Sequence, residues 1–99
     1  MIRSFKNRGT KDVYDGTDSR QARGVCPRAM WPVARRKLDM LRRATRREDL
    51  RMPPGNRLEA LSGNRKGQHS IRINSQWRIC FKWPKDALGP EDVEIVDYH

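Results

Sequence analysis

The sequence predicts an α+β fold in which a central, mainly antiparallel sheet is packed by N-terminal helices. Three observations predict it. Trp77, Ile79, Phe81 and Trp83 alternate with Arg78, Cys80 and Lys82, the clearest strand pattern in the chain. Gln68 to Ile73 alternates in the same way, and the link Asn74-Ser75-Gln76 between the two runs has hairpin length. Upstream, Ala34, Leu38 and Leu41 fall at i, i+4 and i+7, the buried stripe of an amphipathic helix. Helices followed by strands on short links suggest helices laid on one face of a sheet.

Each element has a local reason. Ile2-Arg3-Ser4-Phe5 alternates and reads as a short strand, broken by Lys6 to Gly9. Thr10 is the expected cap of a short helix over Lys11 to Tyr14, which packs Val13 and Tyr14 and ends at Gly16. Thr17 to Gly24 is polar and aperiodic, so a loop is expected. The main helix runs from Pro27 to about Ala44. Pro27 and Pro32 fit only its first turn, which allows a start as late as Val33. Thr45 to Glu48 has capping-box spacing and predicts a helical turn at Glu48-Asp49-Leu50. Pro53-Pro54-Gly55-Asn56 must be irregular. Arg57 to Leu61 reads as a strand with Leu58 facing in and Ala60 as a second candidate to do so, followed by a polar loop from Ser62 to Gly67. In the next strand Ile71, Ile73 and His69 share one face, and Ser70 and Arg72 the other. After a connector from Pro84 to Pro90, Val93, Ile95 and Val96 mark a last strand that ends in Asp97-Tyr98-His99.

Composition bounds the function. The length predicts one domain over residues 1–99. Lys and Arg number 22 against 12 Asp and Glu, a formal net charge of +10. So basic a domain usually meets a polyanion, most commonly nucleic acid, with anionic lipid as the competitor. No apolar run approaches the roughly 18 residues that would span a bilayer, and Met1 to Lys6 carries no apolar signal core, so a cytoplasmic protein with no membrane partner is expected. The three tryptophans and the periodic segments argue against a disordered tail. Cys26 and Cys80, with His69 and His99, form no zinc-ligand spacing, and no metal or other cofactor is expected. Cys80 reads as small core filler. Arg35, Arg36, Arg42 and Arg43 lie away from the apolar stripe. A solvated helix face is the simpler account of them, a nucleic-acid contact the alternative.

A sheet face of Arg and Lys opening onto a groove is a sensible place for an RNA strand. Cleaving a phosphodiester without a metal takes a base, an acid and a cation on the transition state. Tyr98 and His99 stand together at the end of the chain beside Asp97, and Arg57, Arg65, Arg72 and Arg78 are available as phosphate clamps. The plainer accounts are a packed tyrosine and a frayed terminal histidine. His69 reads as a half-buried strand residue, and Trp77 and Trp83 as core. From composition and spacing alone the reading stops at a basic α+β domain that binds nucleic acid.

The segments Pro-Pro-Gly-Asn-Arg-Leu-Glu-Ala-Leu (53–61), Gly-Asn-Arg-Lys-Gly-Gln-His-Ser-Ile-Arg-Ile-Asn (63–74), Gln-Trp-Arg-Ile-Cys-Phe (76–81) and Val-Glu-Ile-Val-Asp-Tyr-His (93–99) closely resemble HigB-type toxins of the RelE/ParE toxin–antitoxin superfamily. Met1 to Phe5 and Arg36 to Leu41 fit the same family. The resemblance covers most of the chain and is weakest from Asn7 to Val33. It implies the small RelE-like fold and a metal-independent endoribonuclease that enters the ribosomal A site and cuts the translated mRNA. It implies a HigA-like helix-turn-helix antitoxin, and binding to operator DNA through the complex with that antitoxin. By position, Asp97, Tyr98 and His99 match the family's catalytic end and Arg78 a basic residue of its active-site strand. Arg57, Arg65, Lys66 and Arg72 are the expected RNA-binding residues. Two positions depart from some members, which carry His in place of Glu59 and Lys in place of Ser62. Losing that lysine removes a phosphate-stabilising cation, which commonly costs ~10²-fold or more in rate, so a mild toxin is expected. Arg57, Arg65 or Lys66 are candidates to compensate. Glu59 either serves as base or salt-bridges an arginine, with the salt bridge slightly favoured. The alternative function is a ParE-like toxin that binds a protein such as DNA gyrase without nuclease activity. A plain nucleic-acid-binding module is the third.

Overall fold

A computed structural model describes residues 1–98 of the chain. Among these residues three α-helices, α1 (Arg8–Asp15), α2 (Arg20–Val25) and α3 (Trp31–Arg43), precede four strands, β1 (Glu59–Ala60), β2 (His69–Arg72), β3 (Trp77–Lys82) and β4 (Glu91–Asp97). The strands form one sheet in the order β1-β2-β3-β4, antiparallel throughout. This is the α+β arrangement that the sequence predicts.

The core lies between the sheet and the helices. Ile71, Ile79, Phe81, Val93 and Ile95 from the sheet meet Val13, Ala34, Leu38 and Leu41 from the helices. Burying such side chains stabilises by roughly 1.5–3 kcal/mol each. The stripe Ala34, Leu38, Leu41 is wholly buried, as its spacing demands. Trp77 and Trp83 pack against this cluster as half-buried rim residues. Cys80, expected as core filler, is fully buried but on the opposite face of the sheet, across from Glu94.

Several expectations are corrected. The segment from Thr17 to Gly24 is not all loop. Ser19 caps α2 by accepting from the Ala22 N–H at 3.0 Å, and its hydroxyl donates to buried Asp12 at 2.6 Å. That hydroxyl is the main reason the Asp12 carboxyl sits below the usual carboxylate range. α2 escapes a periodicity search because it has six residues and buries only Ala22. It packs tightly on α1 through Gly9, where any Cβ would lie 2.4 Å from the Gln21 carbonyl oxygen. Asn7, not Thr10, caps α1, accepting from the Thr10 N–H at 2.8 Å. Thr10 is buried instead, and its hydroxyl accepts from the Ile95 N–H at 3.0 Å, tying α1 to β4. The expected N-terminal strand is reduced to a parallel bridge between Phe5 and Val93. α3 starts at Trp31, after a 3-10 turn at Arg28–Met30. The turn expected near Glu48 is the 3-10 segment Arg47–Arg51, and Asp49 accepts from the Thr45 and Arg46 N–H groups.

The largest correction is at Arg57 to Leu61. Only Glu59 and Ala60 pair with β2, and Arg57 takes a left-handed backbone, φ 47° and ψ 57°. The reason lies one residue earlier. Asn56 is fully buried, and its side-chain amide donates to the Leu50 and Met52 carbonyls at 3.1 and 3.3 Å, while its oxygen accepts from Lys37. The chain must turn sharply out of this anchorage before it can join the sheet.

Candidate active site

The sheet face turned away from the helices carries the polar residues of the alternation. Asn74 sets the β2–β3 turn, because its side-chain oxygen accepts from the N–H groups of Gln76 and Trp77, both at 2.8 Å. The turn fixes the register that places Arg72 opposite Arg78. Beyond β4, the Tyr98 N–H donates to the Gln76 carbonyl at 2.7 Å, so the pairing with β3 continues one residue past Asp97. Tyr98 is thereby fixed beside Arg78, whose guanidinium carbon lies 5.6 Å from the ring centroid.

Arg78 is heavily bonded. Its Nε donates to the hydroxyl of fully buried Ser70 at 2.8 Å. Its Nη1 meets Glu59 at 2.9 Å, and its Nη2 donates to the Arg57 carbonyl at 2.8 Å. The Arg78 side chain is only 12% exposed, against 53% for Glu59. Of the two roles open to Glu59, the salt bridge is the one its geometry displays.

A cleft of about 170 Å³ opens over this network, lined by Arg57, Arg72, Asn74, Ser75, Arg78 and Tyr98. The structure therefore brings together four of the residues singled out in the sequence: Arg57, Arg72, Arg78 and Tyr98. Asp97 lies at the end of β4 opposite Trp77, with the Gln76 amide 3.2 Å from its carboxylate. Arg65 and Lys66 do not line the cleft. Arg65 donates to Glu94 at 2.7 Å and Gln68 at 3.1 Å, and the bond to Glu94 is the main cause that raises its pKa above the ordinary arginine value. Lys66 is exposed on the turn that follows Gly63–Arg65. His99 lies outside the described residues.

Asn74 and Ser75, which line the cleft, and Ser70, which holds its Arg78, are residues that the sequence does not single out. Their signals were present in part: Ser70 shares its strand face with Arg72, and Asn at the first position of a short hairpin link is a common turn former. Nothing in the sequence announces that Ser70 is buried beneath an arginine. His69 sits at the other end of β2, half-buried and stacked on Phe81 at 6.4 Å. Among the described residues its Nδ1 has no hydrogen-bond partner, and burial, then the charge of Arg47, lowers its pKa. No group of three or more His, Cys, Asp or Glu is placed to hold a metal among the described residues. No helix there is long and apolar enough to cross a membrane.

Chemically, the cleft offers a phenol hydroxyl beside a guanidinium, with two further guanidiniums at its walls. That set can bind a phosphodiester and exchange a proton with an oxygen on it.

Sequence comparisons bear on the family of the chain rather than on this arrangement. The profile of a family described as RelE-like toxin of type II toxin-antitoxin system HigB matches residues 3–99. The protein named Toxin HigB-1 of Vibrio cholerae serotype O1 is 41% identical over 83 residues, covering 84% of this chain and 84% of that protein. An uncharacterized protein of Haemophilus influenzae is 40% identical over 63 residues, 64% of this chain and 62% of its own length.

Proposed function

The chain belongs to the RelE-like HigB toxins of type II toxin–antitoxin systems, and from that premise we propose that it is a ribosome-dependent endoribonuclease that cuts the message being translated. A type II toxin has an antitoxin as partner. The one proposed here is a HigA-like helix-turn-helix protein, through which the pair would reach operator DNA. The site of action is the ribosomal A site, hence the cytoplasm.

The observation that carries the reading is the cleft itself, in which Tyr98 lies against Arg78 and shares the lining with Arg57 and Arg72. The reaction is attack of a ribose 2′-OH on the adjacent phosphate. It breaks the P–O5′ bond and leaves a 2′,3′-cyclic or 3′-phosphate and a 5′-OH. Tyr98 and His99 are the proposed acid–base pair, with Asp97 orienting His99. The cationic wall stabilises the charge that develops on the phosphate. Each needs only a proton or a positive charge, so the chemistry as proposed runs without a metal. Glu59 is bonded to Arg78 at 2.9 Å and is assigned to that pair rather than to proton transfer. Ser62 places no cation at its position, which supports a mild rather than a potent enzyme.

Primer extension on a translated mRNA, with and without ribosomes, tests the proposal. The expected result is discrete cuts only with ribosomes. Tyr98→Phe should reduce them by about 10²- to 10⁴-fold, the usual worth of a positioned acid or base. Cutting by a folded Tyr98→Phe protein at the wild-type rate would refute the assignment. Growth arrest with DNA damage signalling and no cut message would favour the gyrase-binding alternative.

A further inference from the structure

We propose that Arg57 is the cation that the reacting phosphate meets, and that Arg78, held by Ser70 and Glu59, is the positioning residue that keeps Arg57 there. The inference deepens the nuclease reading and rests on it only for the identity of the substrate.

Two arginines in one cleft are in opposite conditions. Arg78 is committed: three of its N–H groups are taken by Ser70, Glu59 and the Arg57 carbonyl. Its charge is already balanced by Glu59, and its side chain is nearly buried. Arg57 is exposed, and its guanidinium has no hydrogen bond or ion pair among the described residues. A guanidinium whose donors and charge are unspent is the better ligand for a phosphate, which takes two parallel N–H bonds and a full compensating charge.

The backbone supports the same division of labour. Arg57 sits at φ 47°, a conformation that side chains other than glycine rarely adopt, and one that persists only where its surroundings enforce it. The enforcers are on both sides. Asn56 is pinned in the interior, and Arg78 reaches across from β3 to hold the Arg57 carbonyl. Arg78 in turn cannot swing away, because Ser70 on β2 fixes its Nε and Glu59 on β1 fixes its Nη1. Three strands thus converge on one guanidinium, whose reach ends at the backbone of the free arginine. Arg72, in register with Arg78 and also without an ion pair among the described residues, supplies a second charge for a flanking phosphate.

The test uses Arg57→Gly, because glycine keeps the positive φ and removes only the side chain. A labelled 2′-O-methyl oligoribonucleotide, which cannot be cleaved, is titrated onto the full chain at several salt concentrations. Wild type should bind at low salt. Arg57→Gly should lower the magnitude of the log K against log salt slope by ~0.7, the loss of one single-strand phosphate contact, without lowering the melting temperature. In the ribosome assay it should lower kcat by roughly 10²-fold. Ser70→Ala should also lower kcat in the wild-type background and have no further effect in Arg57→Gly, since a positioning residue has nothing left to position. An unchanged salt slope in Arg57→Gly overturns the proposal, and so does an equal Ser70→Ala cost in both backgrounds or no oligonucleotide binding by wild type. Cutting by wild type with an unchanged slope in Arg57→Gly would sink this assignment and leave the nuclease reading standing. The reverse pattern, a lowered slope with no cutting, would sink the nuclease reading and leave Arg57 as a phosphate ligand.

Discussion

Replacing Asn56 by alanine should be among the most damaging single changes outside the apolar core. Asn56 has no exposed surface, and its amide is the donor for the buried Leu50 carbonyl at 3.1 Å and for Met52 at 3.3 Å. Its oxygen accepts from Lys37, whose half-buried ammonium has its pKa lowered chiefly by burial. Alanine would leave a buried carbonyl unsatisfied, which costs about 1–3 kcal/mol, and would strand an ammonium, at a further roughly 1–2 kcal/mol. These terms share one site and do not simply add, so about 2–4 kcal/mol is expected. At roughly 4–8 °C per kcal/mol for a chain of this size, the melting temperature should fall by about 8–32 °C. Thermal unfolding followed by far-UV circular dichroism reads this directly. Lys37→Met should cost less, because removing the ammonium also removes its burial penalty. A fall below about 4 °C in Asn56→Ala, or a larger loss in Lys37→Met, would refute the argument that the amide anchors this loop.

Three further outcomes follow from the same geometry. Glu59→Gln keeps an acceptor for Arg78 and should reduce ribosome-dependent cutting by less than about tenfold, whereas loss of a general base would cost about 10²-fold or more; primer extension separates the two. His69 is held neutral, since burial and then Arg47 lower its pKa below the ordinary 6.5. Its stabilising contribution is therefore present above pH 6.5 and lost as the pH falls through the depressed folded value, because the unfolded chain takes the proton first. Urea unfolding should show wild type losing more stability than His69→Phe on acidification through this window; parallel pH profiles would contradict it. Burial pushes the Cys26 thiol up to about 11 and raises that of Cys80, and both side chains are enclosed. Iodoacetamide at neutral pH should label neither cysteine in the native protein and both in urea; rapid native labelling of either would show that the fold opens there.

The parts of the fold that could be read in the sequence are those where one residue type repeats at a fixed period. Trp77 to Trp83 and the Ala34, Leu38, Leu41 stripe are such cases, and both lie where the alternation puts them. α2 and the Arg57 corner are not legible, because their causes are single contacts that no repeating period reports. α2 depends on a serine that bridges to Asp12 and on a glycine that admits Gln21. The Arg57 corner depends on an asparagine that reaches Leu50 and Lys37. The site divides in the same way. Alternation puts Ser70, Arg72 and Arg78 on one face, so the cationic surface was visible. Which arginine is spent and which is free was not, because that follows from Glu59 meeting Arg78 and Glu94 meeting Arg65 across strand pairs.

The net charge of +10 acquires meaning only through that division. Much of the acidic complement is used locally: Asp39 pairs with Arg42 and Arg43, Asp18 with Arg23 and Arg28, and Asp15 with Lys11. Exposed pairs of this kind contribute ~0–1 kcal/mol each, so they do little for stability. Their larger effect is to cancel positive charge on the helical side of the sheet. On the other side, Glu94 and Glu59 neutralise Arg65 and Arg78, and the guanidiniums that keep their charge in the cleft are Arg57 and Arg72. At physiological salt the screening length is ≈ 8 Å, so a phosphate in the cleft is attracted chiefly by cations within about that distance. The global excess draws the protein toward a polyanion, whereas binding at the cleft depends on two arginines whose freedom is made by the acids that hold their neighbours.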